Sequence, residues 1–302
     1  MTILLDPRVC LRCLIGARSG SDGSRSHRDS TKNAHVAERI RITSAFTIIE
    51  LLIVVAIVAL LVSVLIPSLS RARQQASGAV CLSNLHQFVL AAQVYTQLHQ
   101  DRYPIAQYTF STPDRFINYK WDFITTMHMA TFTLTVQPGL LWMGRTNAEI
   151  HQCPSFKGDA QSPGDPFTGY NYNTSYVGHG QGEAIEAPIT STQVRLPPEC
   201  ALFGDGQYAA GANKYMRSPW KDVEGGGDDL DARTAGTQGY RHLGRTNVAF
   251  CDGHAVAWNR RCTDNSEGKE PAPGTGFLSP DNRPYDPLAR GCHPPSAVIQ
   301  RK

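Results

Sequence analysis

Glu50 is the first residue of this sequence whose type and position suggest chemistry. It is the only ionisable side chain between Phe46 and Ile66, in a run of Leu, Ile, Val and Ala. A carboxylate in hydrocarbon costs about 2.5 kcal/mol or more on insertion scales, so it indicates a functional role unless a partner neutralises it. The alternative is that Glu50 only marks the start of an anchor helix near the lipid headgroups.

A second group of residues lies near the C-terminus, where His242 precedes Asp252 and Gly253, and His254 follows them. Imidazole and carboxylate groups bind zinc, and a His–Asp pair can transfer protons. Beside a tight turn, however, Asp252 more commonly bonds its own backbone. The residues favour a structural role over a metal site, and a metal site over catalysis. The sequence contains no nucleophile elbow, phosphate-binding loop or His-Glu-x-x-His motif, so we expect no enzyme.

Five acidic residues surround three consecutive glycines, namely Asp222, Glu224, Asp228, Asp229 and Asp231. Oxygen-rich loops can hold Ca²⁺, but this spacing is not that of an EF-hand. We interpret the segment as a solvated acidic loop, with calcium as the alternative, and expect no other cofactor.

The N-terminal part of the chain divides into three segments. Residues 1–45 are polar, without periodicity, and contain eight Lys or Arg against four Asp or Glu, which predicts a disordered leader and a cytoplasmic N-terminus. Residues 46–66 are apolar all round and predict a membrane span. Residues 67–100 are amphipathic, from Leu69 and Val80 to Tyr95, and continue the same helix, with a kink at Pro67. A secretory signal peptide is the alternative, but its apolar core has only about 7 to 15 residues.

Residues 101–258 predict one soluble, loop-rich domain of short strands. Aromatic residues between 105 and 150 are expected to supply its core, among them Phe110, Phe116, Trp121, Phe123 and Phe132. Asp252-Gly253 predicts a type I′ hairpin between strands at 248–251 and 254–258. Residues 259–302 predict an irregular tail. The net charge of +3, without a basic stripe, argues against nucleic acid as a partner.

The sequence from Ala45 through Phe46-Thr-Ile-Ile-Glu50 resembles the processing site of type IV prepilins and type II secretion pseudopilins. The resemblance implies that a prepilin peptidase cleaves between Ala45 and Phe46 and that Phe46 is N-methylated. The new amine of one subunit would then pair with Glu50 of a neighbour, so that two membrane charges neutralise each other on assembly. Family members usually carry Gly where this chain has Ala45.

Nine residues separate His242 from Asp252-Gly253, and this spacing is similar to the C-terminal signature of a family of prepilin-processed, pseudopilin-like proteins. Cys81 and Cys153 also lie in segments similar to that family, which implies a disulfide between them. The resemblance covers residues 45–258 and implies a pilin-like α+β fold, with the long N-terminal helix packed on an antiparallel sheet.

These features together predict a single-pass, membrane-anchored structural subunit. Its partners would be the prepilin peptidase, the inner membrane and other pilin or pseudopilin subunits in a type II secretion or type IV pilus-like filament. The C-terminal domain would be periplasmic or extracytoplasmic. The alternative function is an anchored binding domain for adhesion or glycans, which uses the prepilin motif only for sorting.

Overall fold

The computed structural model describes residues 46–143, 152–160, 169–180, 187–209, 211–221 and 233–290. The fold is α+β. Contacts divide the chain into two units, Met1–Val55 and Ala56–Lys302. The predicted leader, the end of the tail and all five calcium candidates lie outside the described residues.

The dominant element is one helix, α1, which spans Ile48–Leu98. It passes Pro67 without a break, so the proline does not end the helix, and the kink predicted there stays a prediction. After Leu98 the chain turns through Gln100 and Asp101, whose φ angles are 56° and 60°. Because left-handed residues cannot continue a right-handed helix, these two residues end α1.

The later part of α1 packs through one face. Its buried residues recur at three- and four-residue intervals and are Cys81, Asn84, Leu85, Phe88, Val89, Ala92 and Thr96. We predicted that this stripe begins at Leu69 and includes Val80, but these side chains are 53% and 49% exposed. The first fully buried residue on this face is Cys81, after partly buried Ser77 and Gly78. Helical spacing predicts an apolar stripe but does not show where its packing partner begins.

Phe88 is the centre of the aromatic core. Its ring lies 5.7 Å from that of Trp121, 5.1 Å from Tyr170 and 5.5 Å from Phe203, measured between centroids. The Trp121 and Tyr170 rings are nearly perpendicular to it, an arrangement that aromatic quadrupoles favour. Phe88 therefore joins the helix to residues from three other segments of the domain.

The Tyr170 hydroxyl adds a polar contact to this core, because it accepts a hydrogen bond from the Asn84 amide nitrogen at 3.0 Å. Tyr170→Phe would leave a buried amide donor unsatisfied, so we expect it to lower the free energy of unfolding by about 1–3 kcal/mol. Denaturant unfolding of the full chain in detergent measures the loss. Tyr208→Phe removes a hydroxyl from a side chain that is 48% exposed and serves as the control. Equal effects of the two changes would contradict the prediction.

Eleven strands form three sheets in the described part of the chain. Four form an antiparallel meander: β1 Gln107–Ser111, β2 Arg115–Lys120, β3 Phe123–His128 and β4 Thr133–Pro138. The second sheet has the order β10-β9-β6-β5-β7 and comprises β5 Asn171–Asn173, β6 Ala201–Gly204, β7 Tyr215–Met216, β9 Thr246–Phe250 and β10 Ala255–Trp258. It is antiparallel except where β5 pairs with β7. A short ladder joins β8 Gln238–Gly239 to β11 Thr275–Gly276.

Short helical turns connect these strands at Leu140–Trp142, Thr174–Gly178, Ser191–Gln193 and Arg233–Gly236. The turn at Thr174–Gly178 is π-helical and directly follows β5.

The hairpin at Asp252-Gly253 exists, but its predicted turn type is wrong. Gly253 has a φ of 105°, whereas Asp252 is not among the residues with positive φ, and a type I′ turn requires positive φ at both. The Phe250 amide bonds the His254 carbonyl at 2.9 Å, and the Gly253 amide bonds the Phe250 carbonyl at 2.9 Å. The loop therefore contains three residues and ends on a glycine that adopts the positive φ.

The expected aromatic core between residues 105 and 150 is only partly correct. Trp121 and Phe123 are buried, but Phe110, Phe116 and Phe132 are 54%, 41% and 83% exposed. Phe110 and Phe116 lie on the meander, where successive side chains point to opposite faces, and Phe132 lies in the turn before β4. Composition identified the aromatic residues but not the face that each one occupies.

Candidate functional site

The start of α1 is closed by a capping box. The Thr47 amide and hydroxyl donate hydrogen bonds to the Glu50 carboxylate at 2.8 and 2.9 Å, and the Glu50 amide donates to the Thr47 hydroxyl at 3.2 Å. Glu50 thus has a local partner that we did not predict, although Thr three residues before Glu and ahead of an apolar run is the signature of such a box. Phe46 is 72% exposed, and Ala45 lies outside the described residues.

The part of α1 up to Ile66 is predominantly apolar, and its side chains are exposed. Every residue from Phe46 to Ala76 is exposed. Among the described residues, α1 is the one helix long and apolar enough to cross a membrane.

A second candidate site lies at Cys81 on α1. Its sulfur lies 3.0 Å from that of Cys153, and both residues are buried free thiols. The predicted partners therefore meet, although the disulfide itself stays a prediction. Gly169 allows this approach, because a Cβ on its backbone would lie 2.7 Å from the Cys153 Cβ, and its φ of 110° suits glycine.

His242 and Asp205 complete this cluster. The His242 Nε2 lies 3.7 Å from the Cys153 sulfur and 3.2 Å from an Asp205 carboxylate oxygen. Asp205 follows β6, and the same oxygen accepts a hydrogen bond from the Asn247 amide on β9 at 2.7 Å. The ligand atoms of Cys81, Cys153, Asp205 and His242 all lie within 4.8 Å of one another, and all four residues are buried. We refer to these four residues as the Cys–His–Asp cluster.

Arg241 supplies positive charge at the edge of the Cys–His–Asp cluster. Its guanidinium donates to the Cys153 sulfur at 3.2 Å and to the second Asp205 oxygen at 3.2 Å, and it also contacts the Gly169 carbonyl. The side chain is only 10% exposed. Arg241 therefore holds a thiol and a carboxylate in fixed positions, since its planar fork of donors restricts both partners.

The pKa values of the two thiols shift in opposite directions. Burial opposes a Cys153 thiolate, but the hydrogen bond from Cys81 and the charge of Arg241 outweigh burial and lower the pKa of Cys153 well below its usual range. The hydrogen bond to Cys153, together with burial, raises the pKa of Cys81 far above its usual range. Both shifts therefore reflect the close contact of the two sulfurs and the positive charge beside Cys153.

The two other titratable residues of the Cys–His–Asp cluster influence each other. Burial disfavours the His242 imidazolium, yet the contacts with Asp205 and Cys153 outweigh burial and raise the pKa of His242 to about 9. Burial also raises the pKa of Asp205, and Arg241 and His242 offset only part of this rise. The imidazolium form of His242 thus depends on the anionic groups beside it.

The residues of the predicted hairpin motif do not form one site. His242 contacts Asp205 and Cys153, whereas Asp252 accepts hydrogen bonds from the backbone and the ring of His254 at 3.1 and 2.6 Å. Asp252 therefore organises its own turn, and the metal or catalytic set of His242, Asp252 and His254 that we considered is not assembled. In the part of the chain that the structure describes, only the Cys–His–Asp cluster groups three or more His, Cys or acidic side chains at metal-binding distances.

Three members of the Cys–His–Asp cluster lie in motifs of the sequence, but these motifs do not predict that the residues meet. Cys81, Cys153 and His242 belong to separate motifs, and neither Asp205 nor Arg241 was assigned a role. The available signals were an acidic residue directly after a buried strand and the adjacency of Arg241 to His242.

Comparison with known proteins identified no relative of this chain. No family model, curated protein or solved structure was found to match the chain. Its function is therefore inferred from the residues and contacts described above.

Proposed function

We propose that this chain is a membrane-anchored, pilin-like structural subunit that a prepilin peptidase processes and that assembles into a type II secretion or type IV pilus-like filament. The observation that carries the proposal is the division of α1. Its residues up to Ala76 are all exposed, and they are predominantly apolar up to Ile66, whereas from Cys81 one face is buried in the core. A helix with these two halves suits a subunit that is stored in a bilayer and folded outside it.

The exposed apolar half of α1 requires an apolar environment that the chain itself does not supply in its described part. Burial of apolar surface is favourable by about 25 cal/mol per Å². Exposure to water of Leu, Ile and Val side chains that are half exposed or more is therefore unfavourable, and their burial would stabilise the protein. Lipid acyl chains would supply this burial during storage. The helices of neighbouring subunits would supply it in the filament, where small and branched side chains pack closely.

Glu50 would have one partner before cleavage and another after assembly. In the uncut chain its carboxylate caps α1 through Thr47. Cleavage after Ala45 creates an α-amine on Phe46, four residues before Glu50. Pairing of that amine with Glu50 of a neighbouring subunit neutralises both charges in an apolar setting and thereby sets the axial register of the subunits.

The same proposal assigns location and partners. The chain would cross the inner membrane once, with its N-terminus cytoplasmic and its C-terminal domain periplasmic. Its partners would be the prepilin peptidase and other pilin or pseudopilin subunits, and its role would be structural rather than enzymatic.

Mass spectrometry of the mature N-terminus tests the proposal most directly. We expect the protein from cells with an active prepilin peptidase to begin at methylated Phe46, and protein from cells without the peptidase to retain the leader. Ala45→Gly, which restores the residue usual in the family, is expected to be cleaved at least as completely. Recovery of intact residues 1–45 beside an active peptidase would refute the processing step.

A further inference from the structure

We propose that Cys81, Cys153, Asp205 and His242 bind one Zn²⁺ ion as a buried structural site. The four residues come from α1, the segment before β5, the end of β6 and the turn between β8 and β9. The proposed filament function does not require an ion at this place, but the periplasmic location that it assigns favours oxidation of the two thiols.

The ligand types suit zinc. Thiolate sulfur, imidazole nitrogen and carboxylate oxygen are the groups that bind Zn²⁺ in proteins, and structural sites use four of them in a tetrahedron. Oxygen-seeking ions such as Ca²⁺ and Mg²⁺ disfavour a set with two sulfurs. The burial of all four residues also suits a closed structural site rather than a catalytic one with an open position.

The distances are close to those of a tetrahedral site. With Zn–S near 2.3 Å and Zn–N near 2.0 Å, neighbouring ligand atoms lie about 3.3–3.8 Å apart. The separations from the His242 Nε2 to the Cys153 sulfur and to the Asp205 oxygen are 3.7 and 3.2 Å. The two sulfurs are 3.0 Å apart, so they must move apart by about 0.8 Å when the ion enters.

Charge balance explains why Arg241 belongs beside such a site. Two thiolates and one carboxylate around Zn²⁺ leave one net negative charge in a buried position, which is costly unless it is paired. The Arg241 guanidinium contacts Cys153 and Asp205, and its single positive charge makes the whole group neutral. The Asn247 amide fixes the Asp205 carboxylate from another direction. Groups outside the ligand set orient the metal ligands, and their mutation commonly lowers metal affinity by about 10–100-fold.

Binding the ion exchanges protons but no electrons. Zn²⁺ binds thiolate sulfurs, a neutral imidazole nitrogen and a carboxylate oxygen, so protons held by these groups pass to solvent when the ion binds. Because protons compete with the ion for the same ligand atoms, affinity must fall as pH is lowered. The bound ion would connect α1 to three loops of the domain at one point.

A disulfide between Cys81 and Cys153 is the competing state of the same residues. It would remove both thiolates, leaving only His242 and Asp205 as ligands. Zinc and the disulfide therefore exclude each other, and one set of measurements separates them.

The test uses the full chain purified in detergent with a reductant and without chelators. We expect about one zinc per chain by elemental mass spectrometry, as a four-ligand structural site requires. Cys153→Ser and Asp205→Asn should lose the ion. Cys262→Ser, which removes a half-buried thiol outside the Cys–His–Asp cluster, should retain it and is the matched control. Cobalt substitution should give the intense absorption of tetrahedral thiolate coordination in the wild type and the control only.

The wild-type protein keeps the test decisive even if a ligand variant fails to fold. A chelator should lower its melting temperature, and added Zn²⁺ should restore it. A wild-type chain that stays metal-free when reduced and supplied with zinc would overturn the proposal. So would a Cys81–Cys153 disulfide that persists in mass mapping of protein isolated from its native compartment.

Discussion

A Glu50→Ala variant is expected to be cleaved after Ala45 and methylated on Phe46, yet to be absent from filaments. Cleavage should persist because the leader, Ala45 and Phe46 are unchanged. Assembly should fail because the Phe46 amine would enter an apolar interface without a carboxylate to neutralise it, and removal of one partner of a buried ion pair costs about 3–5 kcal/mol. Immunoblots of sheared filament fractions, beside total membrane protein, measure the outcome.

The capping box makes sharper controls available. Glu50→Ala removes the charge and also the acceptor for the Thr47 amide and hydroxyl, so a loss of assembly could arise from a frayed helix start. Glu50→Gln keeps an acceptor oxygen, since Gln also serves in capping boxes, but removes the charge. Thr47→Ala keeps the charge and removes the reciprocal cap, at a cost of about 0.5–2 kcal/mol to the helix.

The two controls separate the roles of Glu50. If charge pairing drives assembly, Glu50→Gln should fail as completely as Glu50→Ala, and Thr47→Ala should still assemble. The opposite pattern, with Glu50→Gln in filaments and Thr47→Ala excluded, would show that helix capping is the function of Glu50. Normal filaments of Glu50→Ala would remove Glu50 from the assembly mechanism altogether.

Asp122→Ala is expected to destabilise the folded domain strongly. Asp122 and Lys214 form an ion pair whose side chains are only 4% and 1% exposed. The Asp122 carboxylate also accepts the Phe123 amide at 2.9 Å, and the Lys214 ammonium lies 5.1 Å from the centroid of the Phe123 ring. Removal of the carboxylate deprives the buried ammonium of this ion-pair partner. We expect a loss of about 3–5 kcal/mol in the free energy of unfolding.

Thermal unfolding of the full chain in detergent measures this loss. For a domain of this size, each kcal/mol shifts the melting temperature by about 2–4 °C, so a decrease of roughly 6–20 °C is expected. Asp114→Ala is the matched control, because the Asp114–Arg115 pair is about half exposed or more on both sides and should leave the melting temperature unchanged.

A double substitution tests the physical reason. Asp122→Leu with Lys214→Met removes both charges at similar volume, and such replacements of buried pairs are often neutral. The double variant should therefore melt well above either single variant. If it melts as low as Asp122→Ala, the loss comes from packing or from the Phe123 amide rather than from the broken ion pair.

Local features of this fold followed from the sequence. The apolar period identified α1, and Asp252-Gly253 located the hairpin between β9 and β10. Both patterns report geometry within a few residues, where neighbouring side chains constrain the backbone. The errors arose where the outcome depends on distant partners. Leu69 and Leu85 belong to the same predicted stripe, but only Leu85 is buried. Phe132 is exposed, although its aromatic side chain suggested a place in the core.

Sequence by itself determined a long helix with an apolar first half, the single carboxylate near its start, and short strands joined by glycine-rich turns. Tertiary structure alone decided which polar residues meet. Cys81, Cys153, Asp205 and His242 converge although up to 161 positions separate them, and Asp122 reaches Lys214 across the domain. The physical reason is that periodicity and turn chemistry record local backbone preferences. Contacts between distant segments depend instead on how the helix and sheets pack, which is set by many side chains together.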